Sequence, residues 1–347
     1  MELVHATNPN DLGTRIQGTD DGCSMFQSYL DTVKPKIDKR ILDNIGSGPG
    51  EASIDRQFEM PLKHGKRMRA GLLMLLFDTF GEDSGQEMAI DLASAVEIAH
   101  AASLIIDDML DDDDTRHGMS ALHITAGHKN AMLGTIGLLS YPYQIASRYG
   151  DECVLGLART HRAMVNGATR ELKNVPSFGV AQAYDSIIEK KTGVLFCLAA
   201  RYGAMAAGCP SIMTEQCSEF GMLTGKAMQI ADDVADLRSL LNGKKARIGG
   251  SEAILLRLCL GQTSERTEDL ERDMHEPVRP IGTERRKDME DIMGRYLAKA
   301  IEDAVGAAQK LQSEECEGEK RNRHDHRIPE LSRIPAEIAT MVLNEEK

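Results

Sequence analysis

Apolar residues recur at three- and four-residue steps through most of this chain, a period that predicts helices rather than strands. Phe26, Tyr29, Leu30, Val33, Ile37 and Ile41 trace one helical face over 23–45. A continuous apolar run predicts a buried helix over 70–80, and Gly81 to Gly85 predicts a turn. From Glu87 to Leu110 the chain reads as a long helix, rich in Ala and Ile, that ends in carboxylates. Helices are also expected over 129–149, kinked or interrupted at Pro142, and over 151–172. Further helices are expected over 180–207, 213–241, 251–262 and 284–313, with a last amphipathic one over 329–343. Pro176 to Gly179, Pro210 and a Gly/Lys/Arg-rich loop at 242–250 separate several of them.

A short element at 54–60 precedes Pro61, and residues 263–282 read as polar and irregular. Residues 1–20 predict a loose arm, and the almost wholly charged stretch 314–327 a solvated loop. Nothing asks for a sheet, and no linker rich in Pro, Gly or Ser divides residues 21–347. The expectation is one all-α domain.

Composition agrees. Apolar residues make up 41% and aromatics 4%, with no Trp, which suits helices and a core of Ala, Leu, Ile and Met. At 347 residues the chain can bury a substantial core. A net charge of −13 weighs against nucleic acid as a partner. Seven scattered cysteines without a CxxC pair indicate neither a disulfide framework nor a zinc site, and fit a reducing cytosol. The N-terminus lacks a basic start followed by an apolar core, and the most apolar short run, Leu72 to Phe77, is far below membrane-spanning length. A soluble, cytoplasmic protein with no membrane span is expected.

The chemistry starts where the 87–110 helix ends. Six aspartates fall within eight positions there, at 107, 108 and 111 to 114. Unpaired carboxylates cannot be taken out of water, so this end is either solvated or holds a metal. Asp232, Asp233 and Asp236 repeat the spacing on another predicted helix. Residues i and i+4 share a helix face with i+1 beside them, so each triad gathers its carboxylates, which is costly unless cations bind between them. Oxygen donors select hard ions such as Mg²⁺, which is usually held by one or two carboxylates together with substrate phosphates. The basic cluster Lys63 to Arg69 leads straight into the apolar 70–80 run. It can hold a phosphate at a helix start, or be an ordinary solvated loop.

In their order and spacing from about Lys63 to Asp236, these residues resemble a trans-isoprenyl diphosphate synthase. The resemblance rests on Gly65-Lys66-Arg67-Met68-Arg69, the first acidic motif with Arg116 after it, Lys191-Thr192, and Gln229 ahead of the second acidic motif. It implies an all-α isoprenoid-synthase bundle around a deep apolar pocket, commonly a homodimer. The activity it implies is condensation of isopentenyl diphosphate with an allylic diphosphate. Asp107, Asp108, Asp111, Asp232, Asp233 and Asp236 would bind Mg²⁺, three ions per site, with Mn²⁺ as a possible substitute. Arg116, Lys191 and one of the lysines at 244–245, with Lys244 taken as the candidate, would hold the allylic diphosphate. Lys66, Arg69 and His100 would hold isopentenyl diphosphate, with His117 at the position of a second arginine. Thr192 and Gln229 would steady the allylic cation.

In such enzymes bulk below the first acidic motif sets product length. Ala102 and Ser103 stand at those positions, with no aromatic plug, so the resemblance points to a product of C20 or longer, most like geranylgeranyl diphosphate. Leu73, Met74, Phe77 and Met132 are candidates for the pocket floor. Four positions depart from the pattern. His117 replaces an arginine, Ala168 a glutamine and Met228 a phenylalanine, and the lysine expected in the 250s is absent. Two other readings therefore stay open: a terpene synthase on the same scaffold, or a non-catalytic partner of an active synthase. His64, His123, His128 and His161 have no ligand spacing and read as loop or helix-surface residues.

Overall fold

The helix carrying the first acidic motif is enclosed along its middle. It is α3, Gln86–Leu110, and from Ala89 to Ala99 every side chain on it is buried. The computed structural model describes residues 24–46, 61–62, 65–116, 118–172, 179–245, 249–260, 283–315 and 330–344. Before α3 come α1 (Met25–Gly46) and α2 (Met68–Phe80). After it come α4 (Leu122–Ala126), α5 (His128–Ala146) and α6 (Asp151–Leu172). Then follow α7 (Val180–Ile188), α8 (Val194–Ala206), α9 (Ser211–Leu241), α10 (Gly250–Leu260), α11 (Thr283–Glu315) and α12 (Ile334–Leu343).

The core is built where α2, α3, α8 and α9 meet, with α5 covering α3 and with α11 and α12 covering α9. Small residues set the spacing of this inner layer. A Cβ on Gly225 of α9 would stand 3.0 Å from the Gly193 Cα, so only glycine lets the two segments come so close. Sustained burial of Leu, Ile, Phe and Ala over α2, α3 and α8 is the main stabilising term.

Buried carboxylates tie the helices together at fixed points. Asp91 of α3 accepts from Arg40 of α1 at 2.7 Å, from Arg148 at 3.1 Å and from the Tyr149 hydroxyl at 2.7 Å. Glu97 accepts the Ala70 backbone N–H at 3.0 Å, satisfying an orphan donor at the start of α2. Arg67 turns inward between Glu97 and Asp38, at 3.5 and 2.7 Å. Glu337 of α12 does for α1 what Glu97 does for α2, accepting the Phe26 N–H at 2.7 Å.

Four expectations change. Helix α5 runs through Pro142 without interruption. A two-residue hairpin, β1 (Thr115–Arg116) paired antiparallel with β2 (Met119–Ser120), stands where no strand was expected. The predicted 180–207 helix contains a π turn at Glu189–Gly193. Helix α11 continues to Glu315, two residues into the predicted charged loop. The arm at 1–20, the element at 54–60, the stretch 263–282 and residues 316–327 lie outside the described residues. Among the described residues one helical stretch, Asp83–Leu110, is long and apolar enough to cross a membrane, but 78% of its most apolar window is buried inside the bundle.

Candidate active site

On α3, His100, Ser103, Leu104 and Asp107 are partly exposed and Asp111 is exposed, and their spacing places them on one face. Asp108, one residue around the helix, is buried. Its Oδ1 accepts the Arg116 Nε–H at 2.7 Å and a second N–H from the same guanidinium. Arg116 reaches it because the chain turns back after α3. Asp112 adopts a left-handed φ of 52°, the Asp113 N–H returns to the Asp108 carbonyl at 3.0 Å, and the hairpin follows.

The second acidic group divides in the same way. The Asp232 side chain keeps solvent-accessible surface although protein surrounds much of its carboxyl, Asp236 is partly exposed, and Asp233 is buried. All of Asp233's company is internal: Tyr184 donates to Oδ2 at 2.6 Å, and Gln229 Nε2 and the Ser251 hydroxyl both donate to Oδ1 at 2.9 Å. Asp236 pairs with Lys245 at 2.8 Å, and Lys245 also reaches Glu252 at 3.3 Å. Lys245 therefore faces this group; Lys244, the lysine taken as the candidate, is exposed beside it.

Lys191 and Thr192 both sit on the π turn, the extra residue of which changes the direction in which the helix presents its side chains. Lys191 Nζ lies 2.7 Å from Glu171 Oε2. The Thr192 hydroxyl donates to Gln229 Oε1 at 2.6 Å. Gly167 of α6 permits this arrangement, since a Cβ there would meet the Lys191 backbone nitrogen at 2.9 Å.

Arg69 stands between the two acidic groups. Its Nη1 donates to His100 Nε2 at 2.9 Å, which leaves the ring proton on Nδ1, and its guanidinium carbon lies 4.8 Å above the Phe196 ring. Burial lowers the Arg69 pKa to about 10, opposed by Glu97, Asp232 and Asp107. Burial and neighbouring carboxylates push the other way on the acids. Asp232 is raised to about 6 by burial, then by Asp236 and Glu252, with Lys66 and Lys245 pulling it down. Asp107 and Asp111 are raised by burial and by neighbouring aspartates, and lowered in part by Lys191 and Arg116. Burial alone would lower the Lys191 ammonium, but Asp107, Glu171 and Asp111 outweigh it and hold it charged.

The polyprenyl synthetase family model matches residues 51–247, more than half of the chain. The chain belongs to that family. A geranylgeranyl diphosphate synthase of Methanosarcina mazei is 34% identical over 180 residues, 50% of this chain and 55% of that enzyme. A nonaprenyl diphosphate synthase of Mycobacterium tuberculosis is 28% identical over 230 residues, 65% of this chain and 67% of that enzyme. The chain thus spans about half the length of the first relative and two thirds of the second. The crystal structure of a polyprenyl synthase from Caulobacter crescentus, complexed with calcium and isoprenyl diphosphate, has the same fold. It superposes with a TM-score of 0.68 at 21% identity, covering 94% of this chain and 99% of that one.

The donor set of this polyprenyl synthetase fits a hard divalent cation. Asp107, Asp111, Asp232 and Asp236 offer only carboxylate oxygen, and the pKa values of the first three are raised first by burial and then by neighbouring carboxylates, whose charge a cation would relieve. Among the described residues no three acidic, His or Cys side chains close around one point as a ready-made cage. Mg²⁺ usually takes few protein ligands and keeps water or phosphate oxygens.

Of the residues singled out in the sequence, the fold brings Lys66, Arg69, His100, Asp107, Asp111, Arg116, Lys191, Thr192, Gln229, Asp232 and Asp236 into one neighbourhood between α3 and α9. Ser103 is on the open face of α3, while Ala102 is fully enclosed among neighbouring side chains. His117 lies outside the described residues. Met132, a floor candidate, is 57% exposed on α5, whereas Leu73, Met74 and Phe77 are buried. His123 is buried against His128 rather than at the surface expected, whereas His161 is partly exposed on α6 and hydrogen-bonded to the Tyr143 hydroxyl at 2.8 Å. Glu171, Tyr184 and Ser251 are site neighbours that sequence spacing did not mark.

Proposed function

We propose that this polyprenyl synthetase is a Mg²⁺-dependent prenyltransferase that condenses isopentenyl diphosphate with an allylic prenyl diphosphate, giving a trans-prenyl diphosphate of C20 or longer. The observation that carries this reading is the placement of cations against carboxylates. Lys191 and Arg116 face Asp107, while Lys66 and Lys245 face Asp232. A diphosphate spanning the cleft would meet acidic groups and their counter-cations on both walls.

Asp107, Asp111, Asp232 and Asp236 would hold Mg²⁺, three ions per site in the reading adopted here, with Mn²⁺ as a substitute. Bound there, the metal would neutralise the diphosphate oxygens and favour cleavage of the allylic C–O bond. Lys191 and Arg116 add fixed positive charge on the same leaving group, in a cleft where burial strengthens it. Thr192 and Gln229 turn oxygen dipoles toward the carbon that becomes electron-poor. Arg69, His100 and Lys66 hold isopentenyl diphosphate so that its double bond meets that carbon. A C–C bond forms, and the proton lost from isopentenyl passes to the departing diphosphate.

Ser103 and Leu104 on the open face of α3 bring no aromatic ring to the wall, which supports a long product. Met132, Leu133 and Ile136 form an exposed apolar stripe on α5, which supports a homodimer in which a second copy would cover it. A cytoplasmic location suits these diphosphate substrates. The test is to incubate the purified protein and Mg²⁺ with isopentenyl diphosphate and each of the C5, C10 and C15 allylic diphosphates. Elongated diphosphates support the reading; products from the allylic substrate alone, or no turnover, overturn it.

A further inference from the structure

Both acidic motifs carry a middle aspartate that turns away from the cleft and is consumed by internal hydrogen bonds. At Asp108 the partner is Arg116 alone among the described donors to its carboxylate, and the pair lies at the edge of the hairpin. At Asp233 the arrangement goes further, because it continues through Gln229 into Thr192, the two residues that the proposed function places beside the allylic carbon. Tyr184 from α7 and Ser251 from α10 donate to its two oxygens. Gln229 Nε2 donates to Oδ1, which fixes the amide so that its Oε1 points back to accept from Thr192.

Each donor in this chain has one choice of partner. The Gln229 amide cannot rotate without setting its oxygen against a carboxylate. Once Oε1 is fixed, the Thr192 proton is committed to it at 2.6 Å, and the threonine lone pairs are left to face outward. Successive bonds of this kind polarise one another in a buried setting. With two donors on Oδ1 and one on Oδ2, Asp233 is buried to 2% exposure, and its carboxylate is turned to the protein rather than to the cleft.

We infer that Asp233 is a positioning residue, not a metal ligand, and that Tyr184 and Ser251 act through it to hold the Gln229 and Thr192 oxygens toward the electron-poor carbon of the allylic substrate. This inference rests on the prenyltransferase reading above. It assigns a part in the reaction to two residues from α7 and α10 that are bonded to Asp233 rather than to the substrate-facing residues.

The test compares Y184F, S251A, D233N and D233A with the wild type in two measurements: steady-state kinetics with a C15 allylic diphosphate, and Mn²⁺ binding in the presence of inorganic diphosphate, followed by electron paramagnetic resonance. Misplacing the two oxygens should lower kcat by about tenfold to a hundredfold in Y184F and D233A, and by less in S251A. The allylic KM and the Mn²⁺ affinity should stay within about twofold, since no ligand is removed. Asn at 233 keeps an acceptor for Gln229 and Ser251, while Tyr184 can turn its hydroxyl to accept, so D233N should recover at least half of the loss seen in D233A. Weakening of Mn²⁺ binding by tenfold in D233N would show Asp233 to be a ligand and overturn the inference. Unchanged kcat in both Y184F and D233A would overturn it as well. An inactive wild type would sink the prenyltransferase reading instead, and the Mn²⁺ measurement would still report whether Asp233 ligates metal.

Discussion

Lys191 Nζ lies 2.7 Å from Glu171 Oε2, and this pair sets the charge balance of the first acidic wall. Asp107 and Asp111 also draw on the ammonium, so Glu171 competes with them for it. Replacing Glu171 by Gln removes the competing charge but keeps the side chain's shape. Lys191 should then settle on Asp107 and Asp111 and oppose metal binding there. We expect E171Q to raise the Mg²⁺ concentration for half-maximal activity by about three- to tenfold, the scale of effect seen for groups just behind metal ligands. The KM for isopentenyl diphosphate should not move. A Mg²⁺ titration checks this, and an unchanged requirement would contradict it.

The two acidic helices were legible because i, i+4 spacing and long apolar periodicity survive any packing. What the spacing could not reveal is rotation about the helix axis. Asp107 and Asp108 are neighbours in sequence but about 100° apart around α3, so one opens to the cleft and the other is buried against Arg116. The π turn was hidden for a related reason: Glu-Lys-Lys-Thr-Gly is ordinary helical sequence apart from its glycine, and one added residue leaves no mark in composition. Lys245 could not be told from Lys244 because both lie in a loop, where no period assigns a face. Glu171, Tyr184 and Ser251 come from three separate helices, and only packing brings them to Lys191 and Asp233.

Gly167 offers a direct check on the π turn. A methyl group there would meet the Lys191 nitrogen at 2.9 Å and the Lys190 carbonyl carbon at 3.1 Å, both backbone atoms that cannot turn aside. Alanine favours a helix interior over glycine by about 1 kcal/mol, so G167A need not lose stability. It should nevertheless displace Lys191 and Thr192. The expected result is a fall in kcat/KM of about tenfold to a hundredfold with far-ultraviolet circular dichroism and melting temperature close to wild type. Full activity in G167A would show that the contact is not needed.

Asp91 gives the fold a defined pH dependence far from the cleft. Burial pushes its carboxyl up, but the Tyr149 hydroxyl, Arg40 and Asn44 outweigh burial, and the net shift is downward. A carboxyl lowered in the folded state stabilises above its unfolded value and loses that contribution as pH falls through the folded one. D91N should therefore be less stable than wild type by about 1–3 kcal/mol at neutral pH, because two arginines lose their anion. The gap should persist at pH 5 and close below about pH 4, the ordinary aspartate range. Denaturant unfolding of both proteins at neutral pH, pH 5 and pH 3 measures it, and a gap independent of pH would refute the assignment.

Product length tests which side of α3 forms the pocket wall. Ser103 belongs to the open face with His100 and Asp107, whereas Ala102 is fully enclosed and has no room for a larger group. Phenylalanine at 103 should project into the cleft beneath the first acidic motif and stop elongation early, shifting the product toward C15. Phenylalanine at 102 should instead overpack the bundle, at a cost of about 1–3 kcal/mol, and lower the melting temperature with little change in product. Chromatography of the dephosphorylated products, together with thermal melts of S103F and A102F, separates the two effects. Shortening by A102F but not by S103F would mean that α3 is rotated in the working enzyme so that the Ala102 side, rather than the Ser103 side, lines the growing chain.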